Sequence, residues 1–221
     1  MTSRTPHAAL TFADFLKTPP GHLLARWTLQ RFDLAVDRVF GAEALQIGAP
    51  QLDTLRANRM QGHALLVRGD EAPFLLDGTL PPFTNRCFVA EPECLPIASG
   101  SIDLVTMPYA LDFSASPQQV LREAARVLAP EGRLILSAFN PAGLWWMRQR
   151  ATLACGGRPY LPTKMLPIPL PRLRDWFALL GLEIDRGAFG IYVPASGTRG
   201  PCNAGAGWTR RETVGRPTAP T

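Results

Sequence analysis

The chain has 221 residues, 46 % of them apolar and 19 % charged, with a formal net charge of +5. That length and balance suit one globular domain with a core of ordinary size, and they exclude a chain that is disordered throughout. The basic excess gathers in residues 192–221, which hold four arginines and one acid, so it does not mark a Lys/Arg stripe on a folded face and no nucleic-acid partner is expected.

The first 22 residues contain no apolar run long enough for a secretory signal or a membrane span, so a cytoplasmic location without membrane association is expected. Region 10–40 reads as helical. Residues 12–33 are interrupted by Pro19-Pro20-Gly21, and Leu23, Leu24, Trp27, Leu29 and Leu34 recur at roughly helical spacing. This region either packs on the domain or forms a lid over a pocket. Ala44–Ile47 is a short buried strand ending at Gly48, residues 51–59 read as a short polar helix, and His63–Val67 is a second strand. Residues 70–86, rich in Pro, Gly and Asp, form an irregular crossing before a third strand at Cys87–Ala90.

The clearest pattern begins at Ile102–Met107, an apolar strand. Ser116 is a suitable N-cap with Pro117 in the first turn, and Val120, Leu121, Ala124, Val127 and Leu128 form one helix face. Pro130-Glu131-Gly132 stops that helix, and Arg133–Ala138 is the next strand. Strand, helix, strand at this spacing is a βαβ unit and implies a parallel sheet. A helix over 143–157, a proline-rich loop over 158–171, an amphipathic helix at Leu170–Leu180 closed by Gly181, and a strand within Leu182–Ile191 follow. The fold class is therefore α/β, Rossmann-like and doubly wound, with a mostly parallel sheet.

Residues 1–193 are read as one domain. Residues 194–221 contain no Leu, Ile, Phe or Met and are expected to form an irregular, disordered tail unlike a native terminus, as a reading-frame change would leave, with the C-terminal hairpin incomplete. Cys87, Cys94, Cys155 and Cys202 make no C-x-x-C pair, so neither a zinc site nor a disulfide framework is expected, and no metal is assigned.

Residues 91–138 carry Leu95-Pro96, the strand Ser101-Ile102-Asp103-Leu104-Val105, the helix Leu121…Glu123…Arg126-Val127-Leu128 and the turn Pro130-Glu131-Gly132. In this order and spacing they resemble the class I S-adenosylmethionine-dependent methyltransferases, specifically the methyltransferase type 11-like domain. Leu45-Gln46-Ile47-Gly48, Asn58-Arg59-Met60 and Phe139-Asn140-Pro141 with Leu144-Trp145 look more like a small bacterial subgroup whose first loop is likewise degenerate. The resemblance implies S-adenosylmethionine as cofactor, held by the loops after strands 1 to 4.

Carried over by position, the first loop contributes Gln46, Gly48 and Ala49, although Pro50 and Gln51 replace the family's glycines. The second loop offers Asp70 to the ribose, with Arg68 at the usual acid position. The third offers Glu91, Cys94 and Leu95 to the adenine, and Met107 closes the fourth strand. Tyr109 is either a pocket wall or packing; Asp112 is either a general base or a loop hydrogen-bonder. The function implied is methyl transfer to an unidentified acceptor, a small molecule or one of unknown kind. The alternative is an inactive binding or regulatory protein that keeps the fold. A Rossmann dinucleotide enzyme is disfavoured because no G-x-G-x-x-G is present.

Overall fold

The computed structural model describes residues 10–73, 86–157 and 159–190, together with the backbone of 214–217. Thr11 opens α1 (Phe12–Leu16) by accepting a hydrogen bond from the Asp14 N–H at 3.1 Å, and Thr18 opens α2 (Pro19–Val36) by accepting from the Gly21 N–H at 3.2 Å. Pro19 and Pro20 lie in the first turn of α2, where a missing N–H is not needed. The break in the helical region thus falls at Lys17-Thr18, and Pro19-Pro20-Gly21 starts a helix instead of interrupting one. Gly21 is required there, because a Cβ would run into the Phe15 carbonyl.

Seven strands form one sheet in the order β3-β2-β1-β4-β5-β7-β6. They are β1 (Glu43–Ile47), β2 (Gly62–Val67), β3 (Arg86–Val89), β4 (Ile102–Pro108), β5 (Leu128–Ser137), β6 (Leu182–Ile184) and β7 (Val214–Pro217). The first five are parallel, and β7 runs antiparallel between β5 and β6. Alternate side chains face opposite layers. Leu45, Ile47, Val105, Met107 and Leu134 meet α3 (Pro117–Val127) and α5 (Leu170–Leu179) through Val120, Leu121 and Phe177. Ala44, Leu104 and Ile135 face the other way, onto Phe32 and Val36 of α2. A third cluster lies over the carboxyl edge of the sheet, where Phe15, Leu16 and Leu24 meet Ala49, Tyr109 and Trp145, the last from α4 (Leu144–Ala154).

Several expectations are corrected. Residues 51–59 form successive turns, not a helix. Asn58 donates from Nδ2 to the carbonyls of Val36 and Val39 and accepts from the Met60 N–H, and this local side-chain chemistry displaces helical pairing. Strand β5 starts at Leu128, before the turn expected to precede it, because residues 129–132 loop out between the Ile102↔Leu128 and Leu104↔Arg133 pairs. Glu131 takes φ 68° in that turn, where the family has glycine. Ser116 holds the N-cap position of α3, but its hydroxyl makes no capping bond. The last strand of the 182–191 stretch covers only Leu182–Ile184.

The hairpin expected to be incomplete is closed by β7, which lies in the expected tail and pairs Ile135↔Val214 and Leu134↔Gly215 on one side, Ile184↔Gly215 to Leu182↔Pro217 on the other. A slot between two strands recruits N–H and C=O groups, which any sequence carries. The rest of that tail, 194–213 and 218–221, lies outside the described residues.

Glu123 and Arg126 of α3 clamp the loop that follows β3. The Glu123 carboxylate accepts from the Leu95 N–H at 2.9 Å and from Arg126 at 2.8 and 2.9 Å, and the same guanidinium donates to the carbonyls of Leu95 and Ile97. This explains why Glu and Arg stand three apart on that helix. Arg126→Ala is expected to lower unfolding free energy by about 2 kcal/mol, seen as a shift in the denaturant midpoint at unchanged slope. Arg126→Lys should recover only part of it, since one ammonium cannot reach both carbonyls and the carboxylate. An unchanged midpoint for the alanine variant would refute the clamp.

Candidate functional site

Strand order reverses between β1 and β4, so the loops at their carboxyl ends diverge and leave a crevice, the usual ligand position in open α/β sheets. The first loop is built around Gln46, whose side chain is 1 % exposed. Its Nε2 donates to the carbonyls of Gly48 (3.1 Å), Ala49 (3.1 Å) and Leu52 (2.7 Å), and its Oε1 accepts from the N–H and hydroxyl of Thr54. Gln46 is therefore spent on the loop itself and does not face the crevice. With the loop's carbonyls turned inward, Gly48 (φ 72°) and Ala49 (φ 47°) take left-handed backbone, the conformation in which a non-glycine residue such as Ala49 is strained by roughly 1–2 kcal/mol.

The acid facing this loop is Glu71, which the carry-over by position did not single out. Gly69–Glu71 forms a single 3-10 turn after β2. Asp70 points outward and pairs with Arg68 at 3.3 Å, whereas the Glu71 carboxylate lies 3.9 Å from where a Cβ on Gly48 would stand. Burial pushes the Glu71 carboxyl up, opposed by the N–H and charge of Arg68 and the N–H of Ala49. An acid within a turn of the end of a second parallel strand was the available signal. Arg68 itself reaches across the crevice and donates to the Phe113 carbonyl at 2.6 Å. Glu91, exposed, stands 3.9 Å from the position a Cβ on Gly69 would take. Cys94 is exposed, while Leu95 and Met107 are buried in the core beneath the crevice.

On the far side, Tyr109 follows β4 in left-handed backbone (φ 56°) and is 2 % exposed. Its hydroxyl lies 2.6 Å from the Thr28 hydroxyl of α2, and burial pushes its pKa well up. Phe139 packs against its ring at 4.8 Å between centroids and Phe12 at 5.5 Å. Helix α1 thus covers the carboxyl edge next to the first loop, as a lid would. Asp112 is fully buried, and burial holds its carboxyl well above the usual carboxylate range. Its carboxylate accepts from the Phe139 N–H at 2.9 Å and its backbone carbonyl from the Leu166 N–H at 2.7 Å, tying together the loops after β4, β5 and α4.

The donor set fits an adenosine-type cofactor. Gly48, Ala49, Gly69 and Ala110 form a cradle of small residues, and a Cβ on Gly48 would come within 3.6 Å of the Ala110 Cβ. Two carboxylates, Glu71 and Glu91, border it and can accept hydroxyl and amino protons. No group of His, Cys, Asp and Glu among the described residues could hold a metal ion, and no described helix is long and apolar enough to cross a membrane.

The sheet order and crevice define a class I methyltransferase fold, and the comparisons narrow it. Residues 76–136 match the methyltransferase domain family. The chain is 35 % identical over 95 residues to the uncharacterized protein YafS of Escherichia coli (strain K12), covering 43 % of this chain and 38 % of the relative. It is 40 % identical over 70 residues to a malonyl-(acyl-carrier protein) O-methyltransferase of Hahella chejuensis, covering 32 % and 25 %. The matches thus span well under half of either relative. A chain of the solved complex between the Haloferax volcanii Trm112 methyltransferase activator and a methyltransferase superposes with a TM-score of 0.63 at 18 % identity, covering 95 % of this chain and 96 % of that one. The chain has the class I methyltransferase fold, and within it residues 76–136 are similar to the methyltransferase domain.

Gln46→Glu would restore an acid at this position but place an acceptor-only carboxylate against three carbonyls. It should cost about 3 kcal/mol or more at neutral pH, less in acid where the carboxyl is protonated, as read by thermal melting. Asp53, in the same loop, is pushed up to about 6 by burial, against the N–H groups of Arg56 and Leu55. Because its folded pKa lies above the unfolded one, its contribution to stability is complete below about pH 4 and is lost as pH rises through 6. Asp53→Asn should therefore melt above the parent at pH 7 and equal to it at pH 4. A difference independent of pH would contradict this.

Proposed function

We propose that this chain transfers a methyl group from S-adenosylmethionine to a small-molecule acceptor, and that residues 1–193 with β7 make up the catalytic domain. The observation that carries this reading is the Glu71 carboxylate set against the Gly48–Ala49 loop, under a helical lid and beside the β4 carboxyl end. Gly48 and Ala49 would hold the cofactor's methionine end, Glu71 would accept from the ribose hydroxyls in place of Asp70, and Glu91 would accept from the adenine amino group. The cofactor supplies an electrophilic sulfonium methyl, so the protein's work is alignment and exclusion of water. Phe12, Phe15 and Tyr109 exclude water above the first loop, and Asp112 positions the surrounding loops without touching solvent. A cytoplasmic setting accords with the free thiols of Cys87, Cys94 and Cys155.

One observation favours a second reading. The Arg68 guanidinium is bonded to the Phe113 carbonyl, linking the segments that follow β2 and β4, and arginine in place of the family's ribose-binding acid suits a binding or regulatory protein that keeps the fold without turnover. Calorimetric titration with S-adenosylhomocysteine separates the two. Under the first reading the protein binds, Gly48→Val and Glu71→Gln each weaken binding at least tenfold, and Asp70→Asn leaves it unchanged. Absence of binding up to millimolar concentration would overturn that reading in favour of the second.

A further inference from the structure

A cavity of about 170 Å³ opens between α2, the carboxyl end of β5 and the start of α5, with Trp27, Phe139 and Phe189 among its walls. A second, of about 120 Å³, shares those three residues and Tyr109 with it and continues toward Trp145. They form two lobes of one largely apolar space. Its lining includes a small polar group. Thr28 and Tyr109 face each other across 2.6 Å, each hydroxyl able to donate or accept. Ser137 stands beside the Tyr109 hydroxyl, and its own Oγ is buried without a well-aligned hydrogen bond.

A buried hydroxyl left unpaired costs about 1–3 kcal/mol unless something else satisfies it. Ser137 has an apolar neighbour on its own face of β5, Ile135, which packs into the core against α2. The polar residue comes where the strand leaves that core and borders the cavity. The three hydroxyls carry three protons, and contacts among Thr28, Tyr109 and Ser137 use at most two of them, so at least one remains for a ligand. Thr28, Tyr109 and Ser137 share the lining with Trp27, Phe139 and Phe189, and with Arg31 and Asn140 as its other polar side chains; such a set matches a flat apolar body with one hydroxyl or carbonyl oxygen. Tyr109 joins this space to the crevice: its side chain lines the cavity, and its chain neighbour Ala110 borders Gly48.

Resting on the methyl-transfer reading above, we infer that this two-lobed cavity is the acceptor site, that it takes a small aromatic molecule, and that Thr28, Tyr109 and Ser137 select acceptors with a single oxygen substituent as anchor. The probes are 2-naphthol and naphthalene, which differ by that oxygen alone, titrated without cofactor and followed by ligand-observed saturation-transfer NMR. The parent should bind 2-naphthol at least fivefold more tightly than naphthalene. Ser137→Ala and Thr28→Val should each remove most of that preference while leaving naphthalene affinity unchanged. Ala188→Trp, which fills the space, should abolish binding of both, with circular dichroism confirming that the variants fold. Equal affinity for the two probes in the parent, or a preference that survives in the Ser137→Ala/Thr28→Val double variant, overturns the inference. Binding of 2-naphthol without binding of S-adenosylhomocysteine would sustain the cavity and overturn methyl transfer; the converse would sustain the cofactor site and overturn the cavity.

Discussion

The Gln46 amide is the interaction on which the site depends. An acid at the end of the first strand can only accept, so it would draw N–H groups of the following loop inward. An amide nitrogen donates, and here it draws three carbonyls inward. The loop's left-handed residues, Gly48 and Ala49, follow from that reversal, and they stand against the Glu71 carboxylate. The departure from the family pattern at Gln46 accompanies those at Pro50 and Gln51: the loop is folded onto a side chain, at the cost of left-handed backbone at Ala49. The Thr54 and Thr106 hydroxyls extend the same network into β4, at 2.9 Å from each other, so the two loops that border the crevice are anchored to a common polar seam within an apolar sheet.

Much of the fold was legible from residues 101–138. Apolar strands, a proline in the first turn of a helix and a five-residue apolar face all point one way, and local and global preferences agree there. Legibility failed where side chains compete with the backbone or where backbone pairing alone decides. Asn58 and Thr54 hold 51–59 in turns although Leu52 and Leu55 sit at helix-compatible spacing. Strand β7 has no side-chain pattern to read. The site was less legible for a related reason. Gln46 stands where the family pattern places an acid, and Asp70 follows Arg68, which holds the other such position; a single 3-10 turn rotates Asp70 outward and Glu71 inward, and no periodicity in the sequence records that rotation.

The same geometry divides the residues that share the β4 carboxyl end. Asp112, buried and held by two N–H groups, works as a tether. Tyr109, three residues earlier, is strained in backbone and polar at its tip, the combination found where packing yields to ligand contact. Its bond to Thr28 also means that α2 and the lid preceding it are located by a polar contact as well as by hydrophobic burial.

Strand β7 is addressed by position and not by composition: a slot between β5 and β6 accepts whichever backbone reaches it first. Among the described residues two pairs fasten β7 to β5, against six between β4 and β5, and Pro217 brings no N–H to the β6 side. The sheet's last seam is therefore where local opening of the sheet is expected to begin.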